Sequence, residues 1–414
     1  MAAPFLILAS GTSVANAAPS DPAQVSALTK KVGGHSGAYV YDITAGKLIG
    51  SKSAGVKRIL ASNAKLFTAS AALDRYGADG RFTTAVWTDG TVNAGVLTGD
   101  VYLRGGGDPL FGSTDFVKKN FGSNATVEQL ALNIRSTGIT QVTGRVFGDE
   151  TAFDTKRGTK PYGFGRSGEI GGLLSGLVYN KGFVGGKFQD DPPRYAAQKL
   201  RVALKSAGVT IGTKIGVKAT PVNATRVGFV QSLPMSALVR QMDKPSNNYL
   251  AEMLIKGLAL PHDSAGDGGA TAPPNTEPAT TFSGAAVARR FASGIGSRVS
   301  LSDGSGLSRS DLAAPREVVD LLRGMARKSV FEPFNLSLPI PGVDGTLANR
   351  MKGTQASKSC HAKTGTLSNV SALSGICTTL GGHQVAFSIL QNQTVPYQAH
   401  VIQDKIATAI ARLP

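Results

Sequence analysis

Ser62-Asn63-Ala64-Lys65-Leu66-Phe67-Thr68-Ala69-Ser70-Ala71-Ala72-Leu73 is the stretch on which the reading turns. Its apolar residues recur at helical spacing, its alanines favour a helix, and Gly77 supplies a stop. A helix starting here puts Ser62 and Lys65, three residues apart, on one face. A serine hydroxyl is a poor nucleophile near neutral pH, so acyl transfer by Ser62 needs a base within hydrogen-bond reach. Lysine serves once it is neutral, and burial, the positive end of a helix and a second cation all favour that form.

Ser-x-x-Lys arises by chance in a chain of this size, although Ser62 is the only serine here with lysine three residues on. Two motifs further along the chain give it weight. Ser246-Asn247-Asn248 stands at the head of an expected helix, and Lys363-Thr364-Gly365 on an expected strand that continues as Thr366. Ser246 offers a hydroxyl to relay a proton to a departing amine, and Asn248 an amide to hold the acyl part of a substrate. Ser246 also reads as a helix cap. Lys363 is the expected second cation; with the Thr364 hydroxyl it can bind a terminal carboxylate, and Gly365 leaves room for substrate backbone. The N–H groups of Ser62 and Thr366 would form an oxyanion hole, unless Thr366 is a plain strand residue. Three such motifs in this order belong to serine acyl-transfer chemistry.

Composition sets the frame. The 414 residues are 41% hydrophobic and 17% charged, the balance of a folded globular chain. Lys and Arg outnumber Asp and Glu by 44 to 27, a net charge of +17. A solvated basic surface accounts for most of this excess, and polyanions such as anionic wall polymers are expected partners. No basic run interleaved with aromatics and no zinc-finger spacing is present, so nucleic acid is not expected. The five histidines, His35, His262, His361, His383 and His400, lack paired ligand spacing, so neither a metal nor another cofactor is expected. His361, beside the third motif, either lines the cleft or faces solvent from its strand.

Residues 1–17 read as a secretory signal peptide: Phe5-Leu6-Ile7-Leu8 is apolar and Ala15-Asn16-Ala17 precedes Ala18. No Lys or Arg precedes Lys30, which an internal start at Met1 would account for. The expectation is an exported, extracytoplasmic protein, in periplasm or cell wall, soluble or peripherally attached. The two cysteines, Cys360 and Cys377, flank an expected hairpin centred between Ser368 and Asn369, so they can face each other as a disulfide or as two buried thiols.

Residues 38–42 and 47–49 read as a hairpin around Thr44-Ala45-Gly46. From about 81 to 231 the chain turns to short strands punctuated by glycine, with helices expected over 126–136 and 194–206. This reads as an inserted domain or domains, leaving 18–80 and 232–414 as one discontinuous domain. Helices are expected over 236–242 and 246–258, a mobile loop over 261–278, and a three-stranded antiparallel meander over 357–391 that turns at Gly381-Gly382. A closing helix should bury Val401, Ile402, Ile406, Ile410 and Leu413. The fold class is therefore α/β in the α+β sense, an antiparallel sheet flanked by helices with a glycine-rich, strand-rich insertion.

Beyond the three motifs, Gly99-Asp100-Val101-Tyr102-Leu103-Arg104-Gly105-Gly106-Gly107-Asp108-Pro109, Asp303-Gly304-Ser305-Gly306-Leu307-Ser308-Arg309, Gly345-Thr346-Leu347, Arg350-Met351-Lys352-Gly353-Thr354 and the block 362–375 complete a pattern. It resembles the low-molecular-mass penicillin-binding proteins of class C, D-alanyl-D-alanine carboxypeptidases and endopeptidases of the DacB type (peptidase family S13). The resemblance runs from about Ala38 to the C-terminus and is weakest over 155–179. It implies a DD-peptidase/β-lactamase-like sheet interrupted after the first motif, D-Ala-D-Ala ends or cross-links of peptidoglycan stem peptides as substrate, and β-lactam antibiotics as covalent inhibitors. Gly105 to Gly107 lacks the Gly-Lys-Ser/Thr of a phosphate loop and reads as a tight turn. Two other readings compete: a β-lactamase, for which no deacylating carboxylate can be assigned, and a wall-binding scaffold with a vestigial serine site.

Overall fold

The computed structural model describes residues 18–123, 125–261 and 277–414. The expected signal peptide and nearly all of the expected loop at 261–278, with His262, lie outside these residues.

The C-terminal meander joins the N-terminal hairpin in one antiparallel sheet of five strands, in the order Cys360–Leu367, Val370–Thr378, Gln384–Asn392, Ser36–Asp42, Lys47–Lys52. Register is set locally. Leu367 pairs with Val370, so the first turn is Ser368-Asn369, and Asn369 takes the positive φ of 57° that a tight hairpin requires. Gly382, at φ 82°, does the same in the second turn. Cys360 thereby lies opposite Cys377, and the two form a disulfide.

Successive side chains leave opposite faces of a strand, and both faces here are apolar. Ala38, Val40, Leu373, Phe387 and Ile389 pack with Val25, Ile406 and Ile410 from the helices Pro22–Lys30 and Pro396–Ala411. Tyr39, Ala372, Ala386 and Leu390 pack on the other side with Leu66, Phe67, Leu250, Leu254 and Val318, carried by the helices Ala64–Tyr76, Asn248–Gly257 and Pro315–Met325. Double coverage explains why every residue of Val370–Thr378 except Thr378 is buried. In the closing helix Ile406 and Ile410 are buried, as is Leu413 just beyond its end, but Val401 is 54% exposed. Val401 lies between Ala399 and Gln403, which are buried, and at about 100° per residue it falls on the face opposite Ile410, so its exposure is a matter of phase.

The segment after the first helix builds further sheets. Thr225–Gln231, Thr83–Thr88, Val101–Gly105, Val146–Asp149 and Ile215–Val217 form a five-stranded sheet, and four shorter strands form another. Helices Val127–Ser136 and Pro192–Ser206 close a second apolar cluster, with Val86, Leu103, Leu130, Ile134, Val146 and Leu200 in it. A third helix, Thr114–Phe121, was not legible in the sequence. Thr83 pairs with Gln231, so the chain enters and leaves this segment side by side. Gly105 ends a strand, within which a Cβ would lie 2.1 Å from the Gly176 carbonyl oxygen, so the triple glycine provides close approach as well as a turn; Gly107 has φ 85°. Among the described residues no helix is long and apolar enough to cross a membrane.

Candidate active site

Ser62 sits in a 3-10 turn, Ala61–Asn63, and the α-helix begins only at Ala64. The expected helix therefore starts one tight turn late. Leu60 N–H donates to the Asp311 carbonyl at 2.9 Å, anchoring the approach, and Ala61 is held at φ 47°, a conformation that costs a non-glycine residue about 1–3 kcal/mol. The tighter turn still leaves Lys65 facing Ser62, with Nζ 3.0 Å from Ser62 Oγ.

Lys65 has no solvent exposure, and Nζ also lies 2.7 Å from Asn248 Oδ1 and 2.8 Å from the Ser305 carbonyl oxygen. The Asn248 amide is oriented by its other end, since Nδ2 donates to the Glu169 carbonyl at 2.8 Å. Asn248 Oδ1 and Ser305 O can only accept, whereas the Ser62 hydroxyl can donate or accept. A neutral amine, with two hydrogens and one lone pair, satisfies all three contacts and leaves the lone pair for the serine hydrogen. An ammonium with three hydrogens would fill the same contacts, so electrostatics decides between the two forms. Burial, then the charge of Lys363, lower Lys65 to about 7 against the opposing pull of Glu252, Asp243 and Asp303.

Lys363 is equally buried, and burial lowers it to about 8 against the pull of Asp243. Its Nζ lies 3.2 Å from the Thr364 carbonyl oxygen. Asp243 closes the helix Met235–Asp243 with no exposure; Ser337 donates to its Oδ2 at 3.0 Å, and burial raises its carboxyl to about 7. The cleft thus keeps two lysines and a carboxylate close to their switching points at neutral pH.

The second motif lies on the loop between that helix and Asn248–Gly257. Ser246 has φ 60°, and its N–H donates to the Asp243 carbonyl at 3.2 Å. Asn247, not Ser246, caps the helix, accepting from Leu250 N–H at 3.0 Å. Ser246 therefore carries no capping duty. Asn248 orients Lys65 through one lone pair of Oδ1 and is itself held by one hydrogen of Nδ2, which leaves its second lone pair and second hydrogen for a further partner.

The third motif runs along the sheet edge. Asn63 Nδ2 donates to the Lys363 carbonyl at 3.0 Å, tying strand to nucleophile turn. A Cβ on Gly365 would lie 2.8 Å from Leu60 O and 3.1 Å from Ser62 N, so glycine lets the strand approach the serine backbone. Ala362 N–H donates outward to the Pro339 carbonyl at 3.0 Å. The two-residue alternation of an antiparallel strand then aims the N–H of Thr364 and Thr366 out of the same edge. Thr364 Oγ1 lies 2.6 Å from Thr346 Oγ1. His361 neither faces solvent freely nor lines the cleft by a polar contact: it is half-buried, with Nδ1 2.9 Å from the Asn335 carbonyl oxygen, and burial lowers its pKa.

Beneath the serine lies the loop 303–308. Glu252 Oε1 accepts from Gly304 and Ser305 N–H at 3.1 and 2.8 Å, Asp303 from Gly306 and Ser308 N–H at 2.8 Å each, and Thr68 donates to the Gly304 carbonyl at 2.8 Å. These bonds fix the Ser305 carbonyl against Lys65. Sequence reasoning missed Asn63, Asp243, Glu252, Ser305 and Thr346. Asn63, Ser305 and Thr346 stand in the quoted motifs without a role assigned to them, Glu252 left a sign as one acid within Tyr249-Leu250-Ala251-Glu252-Met253-Leu254-Ile255, and Asp243 left none.

A sheet between helical layers, with a serine and a buried lysine at its edge, is the body plan of an active-site serine hydrolase. The particular group emerges from comparison: the model of the D-Ala-D-Ala carboxypeptidase 3 (S13) family matches residues 23–163 and 186–413, and the chain belongs to that family. It is 28% identical to a D-alanyl-D-alanine carboxypeptidase of Actinomadura sp. (strain R39), over 92% of this chain and 81% of the relative. It is 29% identical to Carboxypeptidase DacB of Mycolicibacterium smegmatis, over 86% and 76%. In fold it is similar to penicillin binding protein 4 (dacB) of Haemophilus influenzae, with a TM-score of 0.71 at 20% identity over 92% of this chain and 97% of that one.

Proposed function

We propose that the chain is an exported serine D-alanyl-D-alanine carboxypeptidase of peptidoglycan stem peptides, acting through an acyl-enzyme on Ser62. The observation that carries this reading is the buried Lys65 amine, with Ser62 Oγ at 3.0 Å and its other two contacts both obligate acceptors. Ser62 Oγ attacks the carbonyl of the penultimate D-alanine while its proton passes to Lys65 Nζ. The oxyanion meets the N–H groups of Ser62 and Thr366. The proton travels by the Ser246 hydroxyl to the amine of the departing D-alanine, whose carboxylate is held by Lys363 and Thr364. Water then cleaves the ester, with Lys65 again taking the proton. Asn248 and Ser305 orient Lys65, and Gly365 admits substrate backbone.

The division into a catalytic body of 18–80 and 232–414 and an inserted region of 81–231 belongs to this proposal, supported by the separate apolar cluster and the paired ends of the insertion. Export is supported by the apolar leader, and retention on anionic wall polymers by the net charge of +17. The H. influenzae protein is also solved in complex with a β-lactam, and benzylpenicillin is the probe of choice here. Intact-protein mass should show a penicilloyl adduct that maps to Ser62 and persists, alongside release of D-alanine from a stem peptide. An adduct that forms and clears within seconds would favour a β-lactamase, and no adduct at all a vestigial site. Persistence is expected because both nearby carboxylates are engaged away from Ser62, Glu252 by the N–H groups of Gly304 and Ser305 and Asp243 by the Ser337 hydroxyl.

The pH dependence rests on the two lysines. Lys65 must be neutral to act as base, so acylation rises through about 7. Lys363 must be charged to hold the carboxylate, so acylation falls through about 8. The second-order acylation rate should trace a narrow bell between these limbs, the upper one belonging to Lys363 together with Asp243, whose charges act on each other. A rate still climbing well above the upper limb would contradict the role given to Lys363.

A further inference from the structure

Thr346 is an exposed side chain with an unusual amount of structure built to hold it. It lies in the 3-10 turn Gly345–Leu347, and its N–H donates to the Lys244 carbonyl at 3.1 Å. Gly345 stands at φ 57°, where a Cβ would come within 2.5 Å of that same carbonyl oxygen, so the turn presses against Lys244 as closely as a backbone can. Leu347 is fully buried beneath it. Asp344, at the head of the turn, takes the Lys244 ammonium at 2.7 Å and the Ile340 N–H at 2.9 Å. The Lys244 charge is thereby neutralised, with Nζ also on the Leu338 carbonyl at 2.6 Å, and does not compete for an incoming anion. The turn is locked to the residue two before Ser246, and it sets the Thr346 hydroxyl 2.6 Å from that of Thr364.

Two hydroxyls at that distance share one hydrogen. When Thr346 donates, the Thr364 hydrogen is free and polarised toward a further acceptor. When a carboxylate arrives, both hydroxyls can donate, one to each oxygen, and the buried Lys363 ammonium supplies the charge behind them. A carboxamide in the same place presents one acceptor and an NH2 group, so one hydroxyl must turn to accept, and it brings no charge to the Lys363 ammonium; its hydrogen bonds are the weaker, neutral kind.

Resting on the reading of Lys363 and Thr364 as the carboxylate anchor, we propose that Thr346 is the second hydroxyl of that anchor and a specificity-determining residue for a free carboxylate on the departing amino acid. The test compares a stem peptide ending in D-Ala-D-Ala with the same peptide ending in D-Ala-D-alaninamide, for the full chain and two variants. Thr346→Val should lose about 10- to 100-fold in kcat/KM on the carboxylate peptide, the worth of one hydrogen bond to a charged group, and change little on the amide. Thr346→Ser should retain discrimination, because the hydroxyl alone is needed. An equal loss on both peptides would assign Thr346 to holding the turn, and no loss on either would leave it outside recognition; each result overturns the inference while leaving the proposed reaction of the unaltered chain standing. Failure of the unaltered chain to release D-alanine would instead remove the reading on which the inference rests.

Discussion

Lys65→Met should leave a folded protein whose acylation by benzylpenicillin is slower by about 10³-fold, within the range that general-base catalysis supplies. Methionine fills much the same volume, so the loss isolates the amine. Two opposing effects act on stability. Asn248 Oδ1 and the Ser305 carbonyl lose their donor, at about 1–3 kcal/mol for each buried acceptor left bare. Against this, a lysine with no exposure and another lysine in its field no longer has to be buried. The net change in stability should be small beside the change in rate. Stopped-flow acylation, with thermal melting of the same sample, separates the two, and Ser62→Ala gives the floor, where no adduct forms. Acylation within a few-fold of the unaltered rate, in a variant that still melts cooperatively, would show that some other group takes the serine proton.

How the lysine is made neutral marks the boundary of what the sequence discloses. Spacing alone placed Ser62 beside Lys65, Cys360 opposite Cys377 and the turn at Ser368-Asn369, because each depends on contacts within a few residues or on a hairpin's symmetry. Strand patterning and turn residues made the hairpin and the meander of the main sheet legible. The partners of the Lys65 amine were not, for two physical reasons. Ser305 contributes a backbone carbonyl, which any residue type carries, and Glu169 likewise holds Asn248 through its backbone. Asp243 and Glu252 act through burial, which depends on how helices pack and not on local pattern. The misplaced cap has the same origin, since Asn247 and Ser246 are both good capping residues and the left-handed turn at Ser246 decides between them. Val401 shows the reverse failure: an apolar residue assigned to the buried stripe falls on the face opposite Ile410, and the polar Gln403 takes the buried place beside it.

Those long-range contacts meet at one glycine. Gly306 has φ 83°, and a Cβ there would lie 1.8 Å from the Ala61 carbonyl oxygen, 2.4 Å from its carbon and 3.1 Å from Ala64 Cβ. No flexible side chain can yield, because the obstacle is the backbone of the residue before Ser62. Gly306 cannot retreat, since its N–H is held at 2.8 Å by Asp303 Oδ1 and the neighbouring Ser305 N–H at 2.8 Å by Glu252. Gly306→Ala should therefore cost about 2–6 kcal/mol, joining the strain of a left-handed alanine to that of overpacking. The loop and the nucleophile turn must part to accept the methyl group, which moves the Ser305 carbonyl and Ser62 relative to Lys65. A misplacement of about 1 Å at reacting groups is enough for a loss of about 10²-fold. Reduced melting temperature together with an acylation rate lowered by that factor or more is the expected result. Normal stability and normal acylation would show that the loop beneath the serine is softer than its hydrogen bonds imply, and would weaken the case that Ser305 positions the base.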